Sequence, residues 1–350
     1  MAGRPGAEYN PSVADSSETT FSFIVPVHNE QEGLENFHGR LKAVADKLGE
    51  PYEIIFVNDG SQDATAQILR RLADADPRVR AVEFSRNFGH QVAVTAGYDF
   101  AVGKAVISLD SDCQHPPELI PDLVARWREG YEVVYTVRQD THGISAVRRA
   151  IGRLTYAVIR WASGADLTDQ ADFRLVDRKA ADALRELREH ARFIRGLVRW
   201  IGFRQVSVPY TAERRAKGRS SYSLKQLAGM SMAGVFNFSV LPLRLVSTLG
   251  GVLAGAALAY AVLALVLWAF RIPPGGWWSL TMLVLGLSGV QFLFLGILGE
   301  YLGRIFEETK GRPLYVVRDK IGYAPPKPAP PPGAAPEPAR RERGNITIFT

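Results

Sequence analysis

Apolar and polar positions along the first part of the chain switch repeatedly between two patterns. Runs rich in Val, Ile and Phe occupy Phe21–Val27, Tyr52–Asn58, Val79–Phe84, residues 105–110 and Val133–Arg138. After each comes a stretch with helical spacing of its apolar residues, at 31–48, 64–75, 91–102, 117–128 and 146–162. Strand-like runs with little polar alternation are covered on both faces, so the repeats predict a mostly parallel, Rossmann-like α/β sheet with flanking helices and right-handed crossovers. Sheets of this kind take ligands at the carboxyl ends of their strands. Further helices are expected around 175–188 and 192–201, followed by a basic loop.

From about residue 224 the pattern changes. Residues 224–240 are apolar over much of a helical circumference, which predicts a helix lying along a membrane surface. Residues 245–270 and 277–299 then carry no charge at all. Each exceeds the ~20 residues needed to cross a bilayer, so two transmembrane helices are expected. Arg214, Arg215, Lys217, Arg219, Lys225 and Arg244 precede them, Arg304, Lys310 and Arg312 follow, and only Arg271 lies between. That asymmetry predicts a hairpin with both termini and the α/β domain in the cytoplasm, multi-pass in a cytoplasmic (inner) membrane. Trp277 and Trp278 suit an interfacial anchor. No apolar segment with a basic flank opens the sequence, so no signal peptide is expected. Both ends are polar or Pro-rich and are expected to be disordered.

Composition narrows the chemistry. The single cysteine, Cys113, leaves no intrachain disulfide and no cysteine-cluster zinc site, and the six histidines form no HxxxH or HExxH pair. The net charge of +6 comes with basic residues gathered beside the membrane spans, which points to anionic lipid or a lipid phosphate and not to nucleic acid. No GxxxxGK[ST] and no GxGxxG after the first strand supports an ATPase or a dinucleotide site.

The candidate chemistry lies where strands end. The run Leu109-Asp110-Ser111-Asp112-Cys113-Gln114 closes the fourth strand, and alternation along an extended chain would point Asp110, Asp112 and Gln114 the same way. The result is an all-oxygen pocket suited to a hard cation such as Mg²⁺ that shares its shell with a nucleoside diphosphate. Pro26-Val27-His28-Asn29-Glu30 closes the first strand and Asn58-Asp59-Gly60-Ser61 the second. Asp59 and Ser61 are able to bond a base or ribose edge, or simply to form a turn feeding a capped helix.

In order along the chain, ProValHisAsnGlu, ValAsnAspGlySerGlnAspAlaThr, SerArgAsnPheGlyHis, LeuAspSerAspCysGlnHisProProGlu and AspPheArgLeu resemble the motifs of family-two glycosyltransferases with a GT-A fold. With the trailing hairpin, the chain is similar to the polyprenyl-phosphate glycosyltransferases, among them bactoprenol glucosyltransferases and dolichol-phosphate mannosyltransferase. His28, Asn58 and His90 stand where Tyr, Asp and Lys are commoner. The resemblance implies inverting, metal-dependent transfer from a nucleotide sugar of the UDP-glucose or GDP-mannose type to polyprenyl phosphate, with Mg²⁺ or Mn²⁺. It places Pro26, His28, Glu30, Asp59, Ser61, Asp110 and Ser111 at the nucleotide sugar, and Asp112 and Gln114 on the metal. Asp172 resembles the proposed catalytic base, with Arg174 beside it. Arg174, Arg195, Arg215, Lys217 and Ser220 are expected at the lipid phosphate.

A phosphate monoester is already largely a dianion at neutral pH, its second pKa being about 6, so a base is less needed than with a sugar hydroxyl. Asp172 is then free to orient acceptor or sugar. Arg148, Arg149 and Arg153 form a further basic cluster at helical spacing. The domains implied are a disordered N-terminus (1–19), a GT-A catalytic domain (20–222), an interfacial helix (223–243), a transmembrane hairpin (244–304), a C-terminal strand segment (305–322) and a Pro-rich tail (323–350). Residues 312–317 read as a short strand that either pairs with a neighbouring subunit, giving a homo-oligomer such as a tetramer, or joins its own sheet. Competing functions are a non-catalytic nucleotide-sugar-binding membrane scaffold and a family-two transferase with a sugar hydroxyl acceptor. A processive synthase is disfavoured: Gly196-Leu197-Val198-Arg199-Trp200 lacks the Gln of its signature, and two spans form no polymer channel.

Overall fold

The computed structural model describes residues 19–112, 115–138, 170–190, 192–210, 241–270 and 277–323. Its centre is an eight-stranded sheet of β1 (Phe21–Val27), β2 (Tyr52–Asn58), β3 (Val79–Phe84), β4 (Ala105–Ser108), β5 (Val133–Arg138), β6 (Gln170–Asp177), β7 (Gln205–Tyr210) and β8 (Val317–Ile321). The spatial order is β7-β5-β6-β4-β1-β2-β3-β8. β1 runs parallel to β2 and β4, β2 to β3, and β5 to β7. β6 is antiparallel to β4 and β5, and β8 to β3.

Side chains alternate across this sheet and each face has its own helices. Phe21, Phe23 and Val25 pack with residues of α1 (Leu34–Leu48), α2 (Thr65–Ala75) and α4 (Ile120–Arg128), including Phe37, Leu41, Ile68 and Leu123. Ile24, Ile55 and Val57 turn the other way, onto Ala93, Val94, Leu184 and Leu197 of α3 (His90–Phe100), α5 (Arg178–Glu186) and α6 (Ile194–Trp200). α3 rides so close to the sheet that a Cβ on Gly97 would lie 2.8 Å from Cβ of Ile24. Burial on both faces is what the Val, Ile and Phe runs require. Pro26 is tolerated inside β1 because the β1–β4 ladder stops at Ile24, so its missing N–H interrupts no β4 bond.

Several expectations need correction. Residues 170–177 are a strand, where a helix was expected from 175; Asp172 and Arg174 break its apolar run and hide the pattern, yet Phe173, Arg174, Leu175 and Val176 are all buried. β7 carries no clear apolar run because its outer position leaves four of its six residues partly or fully exposed. β4 ends at Ser108, two residues short of the expected strand, because its neighbours β1 and β6 pair with it only that far. The C-terminal strand is Val317–Ile321, not 312–317, and it joins its own sheet beside β3. That edge therefore gives no support to an oligomer.

Beyond the sheet, α7 (Leu241–Ala269) and α8 (Trp277–Thr309) are helical as expected. By length and composition, one stretch among the described residues, Gly286–Thr309 with mean hydropathy 1.2, is long and apolar enough to cross a membrane. Within α7 the apolar stretch Thr248–Tyr260 is shorter. The expected helices at 146–162 and 224–240, the turn between the spans, the Arg148, Arg149 and Arg153 cluster and both tails lie outside the described residues.

Candidate active site

The loops after β1 and β2 are laced together by hydrogen bonds. Asn29, with a left-handed φ of 57°, donates its backbone N–H to Ser61 Oγ at 3.0 Å and accepts the Gln62 N–H at Oδ1 at 2.8 Å. Glu30 N donates to Thr65 Oγ1 at 3.0 Å, and His28 Nδ1 lies 2.9 Å from the Asp59 carbonyl oxygen. Gly60 holds a φ of +65°, and a Cβ there would meet the Arg86 carbonyl carbon at 2.4 Å. Only glycine fits where the loop after β2 meets the loop after β3.

Asp59 has a structural task. Its carboxylate accepts the backbone N–H groups of Phe88 at 2.6 Å and Gly89 at 3.0 Å, fixing the start of α3. Asp59 is only 4% exposed, and both of its carboxylate oxygens brace the loop that carries His90. His28, Asn29, Ser61, Gln62, Arg86 and Asn87 line a cavity of about 420 Å³ at these strand ends. Of the residues expected around a nucleoside, His28 and Ser61 border it; Pro26 is buried in β1 and Glu30 is partly buried at the loop's end.

A second constellation forms around β4 and β6. Their register pairs Ser108 with Arg174, and Ser108 Oγ donates to the Asp172 carbonyl at 2.8 Å, which brings the loop after β4 against the start of β6. His90 Nε2 lies 3.5 Å from Asp110 Oδ1 and 3.8 Å from Asp172 Oδ2. His115 Nδ1 approaches Asp110 Oδ2 at 3.4 Å. His90 and His115 were not expected here; the position of His90 in the SerArgAsnPheGlyHis motif was the available signal.

Asp172 is held by two arginines. Arg195 donates from Nε to Oδ1 at 2.9 Å and from Nη2 to Oδ2 at 2.8 Å, and Arg174 Nη2 donates to Oδ1 at 2.9 Å. Burial would raise the Asp172 carboxyl, but the Arg195 charge and hydrogen bonds, with Arg174 and His90, outweigh it and hold the group well below the usual carboxylate range. A carboxylate so held is a weak proton acceptor. Arg174, expected at phosphate oxygens, is 1% exposed and braces Asp172 from within, whereas the Arg195 side chain is 28% exposed.

Asp110 and Asp112 follow β4 in a loop, so the turn at Ser111 and Asp112, not strand alternation, sets their directions. Ser111 is buried and Asp112 exposed. Among the described residues no three acids, histidines or cysteines converge as a closed metal cage. Two neighbouring carboxylates instead fit a hard cation that completes its shell with substrate oxygens. Gln114, Arg215, Lys217 and Ser220 lie outside the described residues.

Sequence similarity gives the class of protein in which the strand-end cavity, the paired acids and the arginine-held Asp172 occur together. Residues 22–184 match the model of glycosyl transferase family 2. The chain is 43% identical to the uncharacterized glycosyltransferase YkcC of Bacillus subtilis, covering 88% of this chain and 96% of that one. It is 34% identical to the bactoprenol glucosyl transferase of Shigella phage SfV, over 85% and 98% respectively. The chain belongs to glycosyl transferase family 2 and is an enzyme of that class. Among solved structures, glucosyl-3-phosphoglycerate synthase from Mycobacterium tuberculosis, in complex with Mn²⁺, UDP and phosphoglyceric acid, aligns with a TM-score of 0.44 at 20% identity, over 62% of this chain and 76% of that one. That likeness is too loose for its ligands to be carried over.

Proposed function

We propose that this enzyme moves a sugar, with inversion, from a nucleotide sugar to polyprenyl phosphate at the cytoplasmic face of a membrane. The observation that carries the proposal is the β4–β6 register, which brings the acid-bearing loop of Asp110 and Asp112 beside the Asp172–Arg195 pair. One side offers oxygen donors for a cation and diphosphate. The other offers a guanidinium for a phosphate acceptor. Similarity over 85% of the chain to a bactoprenol glucosyl transferase supports a polyprenyl acceptor.

Asp112 and Asp110, with Gln114, would hold a divalent cation of the Mg²⁺ or Mn²⁺ kind. Such an ion, when bound, neutralises charge building on the departing nucleoside diphosphate. Asp172 serves as an orienting group, since its proton affinity is low and a dianionic acceptor needs no base. Held through Nε and Nη2 by Asp172, Arg195 directs its guanidinium charge at the acceptor phosphate. Arg215, Lys217 and Ser220 add to that grip at headgroup level.

The membrane reading, a two-span hairpin anchoring the catalytic domain, draws support from exposed apolar side chains on both long helices. Leu258, Val262, Phe292 and Leu302 are each more than half exposed, which water would penalise and lipid would not. The test is a panel of labelled nucleotide sugars with the lipid-reconstituted enzyme. Label is expected in the organic phase only when polyprenyl phosphate is supplied; label reaching a free sugar acceptor but no lipid would contradict the proposal.

A further inference from the structure

One wall of the strand-end cavity comes from the far end of the chain. Resting on the donor reading above, we infer that Arg318, on the strand that follows the last long helix, binds the nucleoside part of the donor and helps to set which base is accepted.

Arg318 occupies an irregular point in the β3–β8 ladder. Glu83 pairs with Asp319 and Phe84 with Val317, so the register shifts and Arg318 is the residue left without an opposite number. Extra residues of this kind re-aim a side chain and are common beside active sites. Here the side chain is aimed back across β3. Arg318 Nη2 donates to the Ser85 carbonyl at 2.9 Å and Nη1 lies 3.5 Å from Glu83 Oε1. The strand is pinned to the same loop by the Ser85 N–H, which donates to the Val316 carbonyl at 2.9 Å.

The anchored guanidinium lines the cavity with His28, Ser61 and Arg86. Arg86 is itself stacked 4.0 Å over the Phe88 ring. Two guanidinium groups and no carboxylate border the space, among the described residues. A guanidinium has five N–H donors, so two anchoring contacts leave others for a ligand. At about 420 Å³ the space suits a small ligand.

Sheet geometry decides which part of the donor Arg318 meets. In the order β4-β1-β2-β3-β8, the acids lie at the β4 end and Arg318 four strands away. Strands are spaced by about 4.8 Å, so roughly 19 Å separates β4 from β8. A nucleotide with its phosphates at the acids therefore extends its nucleoside across β1 and β2 toward β3, where Arg318 reaches in. Base carbonyl oxygens and ring nitrogens are acceptors that a guanidinium reads, bidentately in the case of guanine O6 and N7.

The experiment titrates the full-length enzyme in detergent with UDP, GDP, UMP and GMP in the presence of Mg²⁺, with Arg318→Ala, Arg318→Lys and Lys320→Ala in parallel. For the diphosphate that the wild type binds, Arg318→Ala is expected to raise Kd about tenfold, the size of one charge-assisted hydrogen bond, and to raise Kd of the matching monophosphate by the same factor. Arg318→Lys falls between, and Lys320→Ala, on the same strand, keeps wild-type affinity. Unchanged affinity in both Arg318 variants overturns the inference. So does an equal loss in Lys320→Ala, which would assign the effect to the strand, or a loss confined to the diphosphate. A wild type that binds neither diphosphate overturns the donor reading itself, a separate failure visible before any variant is made.

Discussion

Arg195 grips both oxygens of the Asp172 carboxylate, Nε on Oδ1 at 2.9 Å and Nη2 on Oδ2 at 2.8 Å. The pair joins α6 to β6 and gives a fork-on-carboxylate geometry that a lysine cannot reproduce. Because this pairing holds Asp172 ionised far below neutrality, turnover should show no inflection from Asp172 between pH 5 and 8. A pH–rate profile of wild type and Asp172→Asn checks this. An inflection near neutral pH that disappears in the variant would restore the base role.

Asp172→Asn has a second consequence, in stability. Arg174, 1% exposed, would keep a buried charge after losing its anion. Breaking a buried pair from one side costs about 3–5 kcal/mol. Chemical denaturation at pH 7 should register that loss, and Asp172→Asn combined with Arg174→Met should recover part of it.

Gly60→Ala should impair both folding and donor binding. The backbone φ of +65° and the 2.4 Å approach to Arg86 leave no room for a methyl group. A lower thermal midpoint together with a KM for nucleotide sugar raised several-fold is expected. A neutral variant would mean that the Arg86 loop is looser than its packing implies.

Asp76 governs part of the acid sensitivity. Hydrogen bonds from Arg78, against the opposing effect of burial and with help from Lys42, hold its carboxyl well below the ordinary range. A depressed folded-state pKa means the stabilisation is present above the unfolded value of about 3.9 and is lost as pH falls below it. Asp76→Asn should therefore be less stable than wild type at pH 7, with the difference shrinking between pH 4 and pH 2 in denaturant midpoints.

Much of the fold could be read from the sequence because doubly covered strands write themselves as apolar runs. Phe21–Val27, Tyr52–Asn58, Val79–Phe84 and Val133–Arg138 have the expected bounds. β6 was hidden for a chemical reason: its Asp172 and Arg174 look like surface residues until Arg195, from another element, clamps the same carboxylate. The same holds at the site. Motif positions single out Asp110, Asp112 and Asp172, but whether a carboxylate faces substrate or braces a loop depends on donors from other elements. Asp59, bound by the amides of Phe88 and Gly89, looks identical in sequence to a ligand-binding acid. Arg318 carries no local signal at all, since only the β3–β8 pairing brings it to the cavity.

The most direct measurement follows labelled sugar from a nucleotide donor into polyprenyl phosphate, with wild type and Asp112→Asn, each with and without a chelator. Wild-type transfer should stop on chelation and return with Mg²⁺ or Mn²⁺, and Asp112→Asn should fall by about 10²-fold or more, the scale on which removing one transition-state stabiliser acts. Transfer that persists in the chelator, or an Asp112→Asn variant at wild-type rate, would contradict cation-assisted departure of the nucleoside diphosphate.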